Sequence, residues 1–275
     1  MEVLTQQTAD AFDFNIVVVD NDAEKSAKDV VIELAHNSKI ELGYHVESTS
    51  NIALARNKAV QSASGQYLAF IDDDEVPLND WLLTLLKACK HYGAAGVLGP
   101  VHPRFEGKPP QWLIKGGFYN RPTHETGFVM SWDEARTGNV LIRRHILDGE
   151  EPIFKPEFGT GGEDQDFFRR MMAKGHTFIW CDEAPAYETI PPHRWEWRFL
   201  LKRALLRGKT SFRHPKNRLQ NIAKSMIAVP LYIIALPLLL IFGQHYFMKY
   251  FIRLFDHLGR LLAMLRLNPI QERCH

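Results

Sequence analysis

The stretch Gln66–Pro77, which reads QYLAFIDDDEVP, decides how the rest of this 275-residue chain is interpreted. Its first half is apolar and aromatic and follows the turn signal Ser64-Gly65, which predicts a short buried strand. Four acidic residues, Asp72–Glu75, follow that strand, and Pro77 predicts that the strand goes no further. Ligands of open α/β sheets bind beyond the carboxyl ends of the strands, so this acidic end is a candidate site.

Two interpretations of the acidic run are open. Crowded carboxylates repel one another, so the run costs free energy unless a cation neutralises it. A hard divalent ion such as Mg²⁺ or Mn²⁺ takes oxygen ligands, commonly one or two carboxylates together with substrate phosphates. The sharper hypothesis is therefore a metal–diphosphate site, and the alternative is a solvated acidic turn.

Strands and helices alternate through the first half of the chain. Phe14–Val19 is continuous and β-branched, which predicts a buried strand, and it ends in the acidic segment Asp20–Asp22. This alternation predicts a parallel α/β sheet with both faces covered by helices. Further strands are predicted at 44–47, 95–101, 129–132, 139–142 and 177–181, and helices at 23–37, 51–63, 77–92 and 167–174.

The C-terminal part has a different composition. From His193 onward the chain is basic and aromatic, and the following segment Ser225–Gly243 contains no charge and is close to the length of a membrane span. The basic flank places residues 1–224 on the cytoplasmic side. Tyr246–Leu267 predicts a cationic amphipathic helix on a membrane surface, with a core helix of the soluble domain as the alternative.

These patterns predict four regions. They are a catalytic domain at 1–208, a basic juxtamembrane segment at 209–224, a transmembrane or membrane-inserted helix at 225–244 and a cationic tail helix at 245–275. The formal net charge of +1 gives no reason to expect a nucleic-acid partner. The three cysteines are scattered without metal or redox spacing, which is typical of free thiols in a reducing compartment.

Four motifs occur together in the chain: VVVDND at 17–22, ARNKAVQSASGQYLAFIDDDE at 55–75, TGNVLIRR at 137–144 and GGEDQDFF at 161–168. In this order they resemble the inverting family 2 glycosyltransferases, and most closely the bacterial succinoglycan-biosynthesis type. The resemblance implies the GT-A fold, which is Rossmann-like with a mainly parallel sheet and helices on both faces.

The resemblance assigns the donor site to four acids. Asp20 matches the residue that contacts the nucleotide base, and Asp72 and Asp74 match the outer acids of the DxD motif. By this resemblance Asp72 faces the ribose, Asp74 holds the divalent metal on the diphosphate with Asp72 beside it, and Asp73 lies between them in a supporting role.

The resemblance also assigns the acceptor side of the site. Asp164 matches the general base with Glu163 beside it, while Gly138 and Asn139 match a loop of small residues near the sugar and the acceptor. The implied reaction transfers a sugar from a nucleotide-diphosphate sugar to a lipid-linked saccharide, by single displacement with inversion, in surface or extracellular polysaccharide biosynthesis. The implied location is the inner (cytoplasmic) membrane, with the catalytic domain facing the cytoplasm.

One part of the family pattern is missing. Family members begin with a central strand that would lie between the strand at 14–19 and the acidic strand, and no such segment is predicted here. We therefore expect two strand edges without partners, which is costly, and a chain that is truncated at its start. An inactive membrane-tethered remnant or scaffold is one alternative function. An acid-cluster phosphatase is another, although Glu75–Pro77 lacks the Thr or Gly that such an enzyme needs there.

Overall fold

The computed structural model describes residues 1–7, 12–159, 161–213 and 218–267. The chain divides into two compact units, each assembled from two segments. The first unit comprises Met1–Pro103 and Arg121–Thr189, and the second comprises Arg104–Asn120 and Ile190–His275. Residue 208, the predicted end of the catalytic domain, lies inside a helix of the second unit.

The first unit contains most of the strands and the sheet that carries the acidic run. Its strands are β1 Ile16–Asp20, β2 Leu42–Val46, β3 Tyr67–Phe70, β4 Glu75–Pro77, β5 Gly96–Leu98, β7 Val140–Arg143 and β8 Phe178–Trp180, with β6 Val101–Phe105 and β9 Ala186–Ile190 running on into the second unit. Its helices are α1 Glu2–Thr5, α2 Lys28–Asn37, α3 Ile52–Ser62, α4 Trp81–Tyr92 and α6 Glu163–Ala173.

Strand directions in the first unit are mixed. β1 and β2 are parallel, as predicted. The central sheet has the order β3-β7-β5-β8, in which β7 is antiparallel to both neighbours and β5 is parallel to β8. The α/β class is confirmed. β3, β5 and β8 run in one direction and β7 runs against them, so the sheet is mixed at a strand whose direction the alternation of strands and helices does not predict.

Within the described residues, no strand joins β1 to β3 in one sheet. β1 pairs only with β2, and β3 pairs only with β7, so the sheet is interrupted between β1 and β3, as expected from the sequence. The N-terminal residues lie elsewhere, because the Gln7 side chain donates to Leu78 O (2.7 Å) and accepts from Leu82 N (3.0 Å) at the start of α4. Residues 8–11 are outside the described part of the chain.

Two local predictions are wrong. Pro77 does not follow the last strand residue, since it belongs to β4, a short strand antiparallel to β9 at the edge of the β4-β9-β6 sheet. An edge strand tolerates proline because one side of its backbone needs no hydrogen-bond donor. The predicted strand at 129–132 is reduced to one isolated bridge between Val129 and Ile179.

The second unit is helical. Its helices are α5 Gln111–Gly116, α7 Trp197–Arg213, α8 Arg218–Phe242 and α9 Gln244–Met264. Met248 and Ile252 of α9 are buried with Leu200 and Ala204 of α7, so the apolar side of α9 faces the core of this unit. Among the described residues, Leu219–Phe242 is the one helical stretch long and apolar enough to cross a membrane.

Candidate active site

The acidic run meets the predicted catalytic pair through an arginine. Asp72 lies just beyond β3, Glu163 opens α6, and Arg56 projects from α3 between them. Arg56 Nη1 donates to Glu163 Oε1, and Arg56 Nη2 lies 3.4 Å from Asp72 Oδ1. Two motifs that are 91 residues apart in the chain are therefore joined by one guanidinium group.

The start of α3 is fastened to the loop that precedes α6. Asn51 caps α3, because its Oδ1 accepts from Ala53 N (2.9 Å) and Leu54 N (3.2 Å). The other end of the Asn51 amide donates to Pro156 O (3.0 Å), and Ile52 N donates to Gly159 O (3.2 Å). These bonds hold α3 and α6 close enough for Arg56 to reach Glu163.

A second arginine contacts the far end of the acidic run. Glu75 is buried, and Arg121 Nη1 lies 3.7 Å from its Oε1, while Arg121 Nη2 donates to Glu188 Oε2 (2.6 Å). Burial, reinforced by the charge on Asp72, raises the pKa of Glu75 to about 8. Within the described residues, Glu75 Oε1 has no hydrogen-bond donor. The buried Glu75 carboxyl is therefore not fully satisfied by hydrogen-bond donors at this end of the site.

The predicted small-residue loop lies against the acids. A Cβ added to Gly138 would lie 2.9 Å from Glu75 Oε1 and 3.0 Å from Asp72 Oδ2. Only glycine fits this approach without displacing a carboxylate. Gly138 is thus placed at the acid cluster, and its assignment to a loop near the sugar and the acceptor stays a prediction.

The Asn139 side chain is held by hydrogen bonds inside the first unit. Its Nδ2 donates to Pro100 O (2.9 Å) and Ala184 O (2.8 Å), and its Oδ1 accepts from Trp81 Nε1 (2.7 Å). Both amide hydrogens are therefore used inside the first unit, and Asn139 fixes the entry to β7.

Asp20 lies at the end of β1 and is buried. Its carboxylate accepts hydrogen bonds from Asp22 N (3.1 Å), Ala27 N (3.0 Å) and the Tyr44 hydroxyl (2.8 Å). Desolvation and this bond to Asp20 raise the pKa of Tyr44 to about 12. Asp20 thus organises the loop between β1 and α2, and the pairing of the two strands brings Tyr44 to it.

The predicted catalytic pair opens α6, directly after Gly162. Glu163 is buried, and the loss of hydration raises its pKa to about 7 even though the Arg56 charge opposes that rise. Asp164 is half-buried, and its Oδ1 accepts from Gln165 N (2.7 Å). The two neighbouring acids therefore differ in surroundings. Glu163 is paired with Arg56, whereas Asp164 is more accessible to a ligand.

The acidic run offers few protein ligands for a metal. Among the described residues, no group of three or more His, Cys, Asp or Glu side chains is arranged to hold an ion. Asp73 is exposed, Asp74 is half-buried, and desolvation raises the pKa of Asp72 against the opposing charge of Arg56. The crowding of these carboxyl groups, with an oxygen of Glu75 that has no donor, fits an ion held by one or two carboxylates and a diphosphate.

The sequence interpretation missed two residues of the site. Arg56 stands in the quoted ARNKAV motif, and its position one turn into a capped helix that precedes the acidic strand is the signal that was available. Arg121 lies in a proline- and glycine-rich connection without a motif, and only the folded chain shows that it reaches Glu75 and Glu188.

Comparison with known proteins decides the family. Residues 2–148 match the family profile described as "Glycosyl transferase family 2". The chain belongs to that family. It is 38% identical over 199 residues to "Succinoglycan biosynthesis protein ExoM" of Rhizobium meliloti (strain 1021), covering 71% of this chain and 63% of that protein. It is 22% identical over 184 residues to "Glycosyltransferase AglE" of Haloferax volcanii, covering 66% of this chain and 59% of that protein.

Solved structures support the fold. The family 2 chain superposes on S. aureus TarS 1-349 in complex with UDP with a TM-score of 0.54 and 14% identity, covering 98% of this chain and 87% of TarS 1-349. The complex of TarS 1-349 with UDP-GlcNAc gives a TM-score of 0.53. The resemblance and the GT-A class predicted from the motifs are therefore confirmed. The chain spans less than two thirds of the length of the two curated relatives.

Proposed function

We propose that this family 2 chain transfers a sugar from a nucleotide-diphosphate sugar to a saccharide acceptor. The observation that supports the proposal is the bridge from Asp72 through Arg56 to Glu163, which joins the acidic run to the start of α6. The name of the succinoglycan relative supports a role in surface or extracellular polysaccharide biosynthesis. The TarS complexes with UDP and UDP-GlcNAc show that a protein of this fold takes such a donor.

In this proposal the donor lies along the carboxyl ends of β1 and β3. Asp20 approaches the base and Asp72 the ribose, with Asp73 beside them, and Gly138 leaves room for the sugar. Asn139 contributes by fixing the loop that carries Gly138. Asp74 and Asp72 would hold a divalent Mg²⁺ or Mn²⁺, and such an ion would neutralise the charge on the diphosphate leaving group.

The transfer itself is a single displacement. The oxygen of the acceptor hydroxyl forms a bond to the anomeric carbon while the bond from that carbon to the diphosphate breaks. Asp164 takes the hydroxyl proton, and Glu163 anchors the start of α6 through Arg56. Attack from the side opposite the leaving group inverts the configuration of the sugar carbon.

The acceptor in this proposal is linked to a lipid at the cytoplasmic face of the inner membrane. The apolar helix α8 and the basic residues of α7 support attachment to a membrane, where such an acceptor is found. A second candidate is a non-catalytic membrane-tethered scaffold, which the unpaired edges of β1 and β3 favour. The phosphatase alternative has no such support.

A donor panel tests the proposal. Membranes carrying the full chain are incubated with a panel of radiolabelled nucleotide sugars, and label in the lipid-linked fraction is counted. We expect one donor to label that fraction, and membranes carrying Asp164→Asn to label it about a hundredfold more slowly. Equal labelling by the two membranes for every donor would support the scaffold.

A further inference from the structure

The outer surface of α8 is apolar and uncovered. The segment Ser225–Gly243 contains no charged residue. Ile227, Ile234 and Ile241 are 64%, 70% and 80% exposed, and their spacing of seven places them on the same side of the helix. An apolar surface of this length is not left in water by a soluble unit, so it needs an apolar partner.

The opposite side of α8 is covered by α9. Ser225 Oγ lies 2.9 Å from His257 Nδ1, and the rings of Tyr232 and Tyr250 lie 5.7 Å apart. Gly243 joins the two helices at their other end. The contact that lies later in α8 involves an earlier residue of α9, so the two helices run antiparallel, side by side.

The helix α9 is charged, and it is itself attached to a charged helix. Lys249 and Arg253 are exposed on α9, and Asp256 receives two hydrogen bonds from Arg207 of α7. The axes of α7 and α9 approach closely, because a Cβ on Gly259 would lie 2.3 Å from Leu205 O. The helices α7 and α9 therefore move with α8 as one assembly.

We propose that α8 lies in the plane of a membrane, within one leaflet, and does not cross it. If α8 crossed the bilayer, α9 would run through the hydrocarbon beside it and carry Lys249, Arg253, Asp256 and Arg260 across, which is unfavourable for each charge. In the plane of the membrane, a helix about 10–12 Å wide fits within half of a hydrocarbon core about 30 Å thick.

The proposed partner is a lipid surface with anionic headgroups. Neighbouring helix axes lie about 8–10 Å apart, so α9 lies at headgroup level when α8 is immersed. Its exposed Lys249 and Arg253 then meet lipid phosphates, and the rings of Tyr246 and Tyr250 lie in the interface that aromatic residues favour. This inference rests on the membrane attachment in the proposed function and is independent of sugar transfer.

Depth measurements test the orientation. Ile227, Ile234 and Ile241 are replaced one at a time by a spin-labelled cysteine in the full chain carrying Cys274→Ser, with the unsubstituted parent as the labelling control. The protein is bound to vesicles of phosphatidylethanolamine and phosphatidylglycerol, and depth is measured from the accessibility of each label to oxygen and to a water-soluble nickel chelate. We expect one shared depth below the headgroups. A label at Ile234 near the midplane with shallow labels at the two ends would show a crossing helix, and three labels in water would show no insertion; either result overturns the proposal.

A matched pair of variants tests the partner. Ile234→Glu places a charge on the immersed side of α8, and Val30→Glu places one on an equally exposed apolar residue of α2, which is 60% exposed. We expect Ile234→Glu to lower the vesicle-bound fraction roughly tenfold or more in flotation, and Val30→Glu to leave it unchanged. Circular dichroism is the control that checks whether both variants stay helical. Equal binding by the two variants overturns the proposal. The flotation assay contains no sugar donor, so its result does not depend on whether the protein transfers a sugar.

Discussion

Arg56 is the residue on which the candidate site depends. It pairs with Glu163 and approaches Asp72, and desolvation raises the pKa of both carboxyls above their usual values. Without the guanidinium, ionised Glu163 and Asp72 have no compensating cation beside them, so the pKa of each rises further and ionising them at high pH costs more free energy. The free energy of unfolding that is lost when Arg56 is replaced is therefore large, and it depends on pH.

Arg56→Met is expected to lower the free energy of unfolding by about 3 kcal/mol at pH 8.5, the range for breaking a buried ion pair. The loss should shrink below the Glu163 pKa of about 7, because a protonated Glu163 no longer needs a cation. Urea unfolding at about pH 5.5 and pH 8.5 measures both values. Arg136→Met, at an exposed arginine, is the control, and a loss that does not depend on pH would contradict the assignment.

Gly138→Ala tests how tightly the loop approaches the acids. Its Cβ would lie 2.9 Å from Glu75 Oε1, so one carboxylate must move, and we expect about 1–3 kcal/mol of destabilisation with weaker donor binding. Gly43→Ala is the control, because its nearest neighbour is the flexible end of His45 at 3.3 Å. Thermal unfolding and nucleotide-diphosphate titration of both variants give the comparison. Equal effects would remove Gly138 from the site.

The divalent ion gives a third prediction at this scale. Asp74→Asn should abolish metal-dependent donor binding, and a chelator should inhibit the unsubstituted protein reversibly, because the ion is held largely by the diphosphate and one or two carboxylates. Calorimetric titration of a nucleoside diphosphate with and without Mn²⁺ measures the coupling. Tight binding in chelator by both proteins would refute the DxD assignment.

Residue types were predicted from the sequence more successfully than residue contacts were. Gly138 lies beside the acids, at a close approach for which a glycine is the suitable residue type. Asn139 turned out to bind Pro100 O and Ala184 O, which lie 39 and 45 residues away in the chain. Such hydrogen bonds depend on which strands become neighbours, and no local pattern contains that information.

At the scale of elements, the presence of a strand or helix was easier to predict than the direction in which a strand runs. The strands β1, β2 and β3 and the helices α3 and α4 appear close to where the apolar patterns predicted them. The antiparallel insertion of β7 and the edge strand β4 with Pro77 were missed. Both depend on pairing with strands that come much later in the chain.

The crossing of α7 and α9 gives a prediction with an unusual sign. Gly→Ala inside a helix ordinarily stabilises it by about 1 kcal/mol. Gly259→Ala should instead destabilise the second unit, because its Cβ would lie 2.3 Å from Leu205 O. Hydrogen–deuterium exchange of α7 and α9 on vesicles measures this, with faster exchange expected in the variant. Slower exchange would show that the helices are not in contact at Gly259.

At the scale of the whole molecule, the sequence predicted four regions that follow one another along the chain. The structure instead has two units, and each is built from two separate segments. The segment Arg104–Asn120 belongs to the helical unit, where its Leu113 and Tyr119 are buried with Met248 of α9. Composition along the chain detects a change from acidic to basic. It does not detect a segment that leaves one unit and completes the core of the other.

The central claim is that one site holds the donor through Asp72 and Asp74 and activates the acceptor through Asp164. The most direct test measures donor affinity and single-turnover transfer on the same Asp164→Asn protein, using the donor found in the panel. The account predicts unchanged affinity with transfer slowed by about a hundredfold or more, because a lost general base affects only the chemical step. Lost affinity with an unchanged rate of transfer from the bound donor would contradict it.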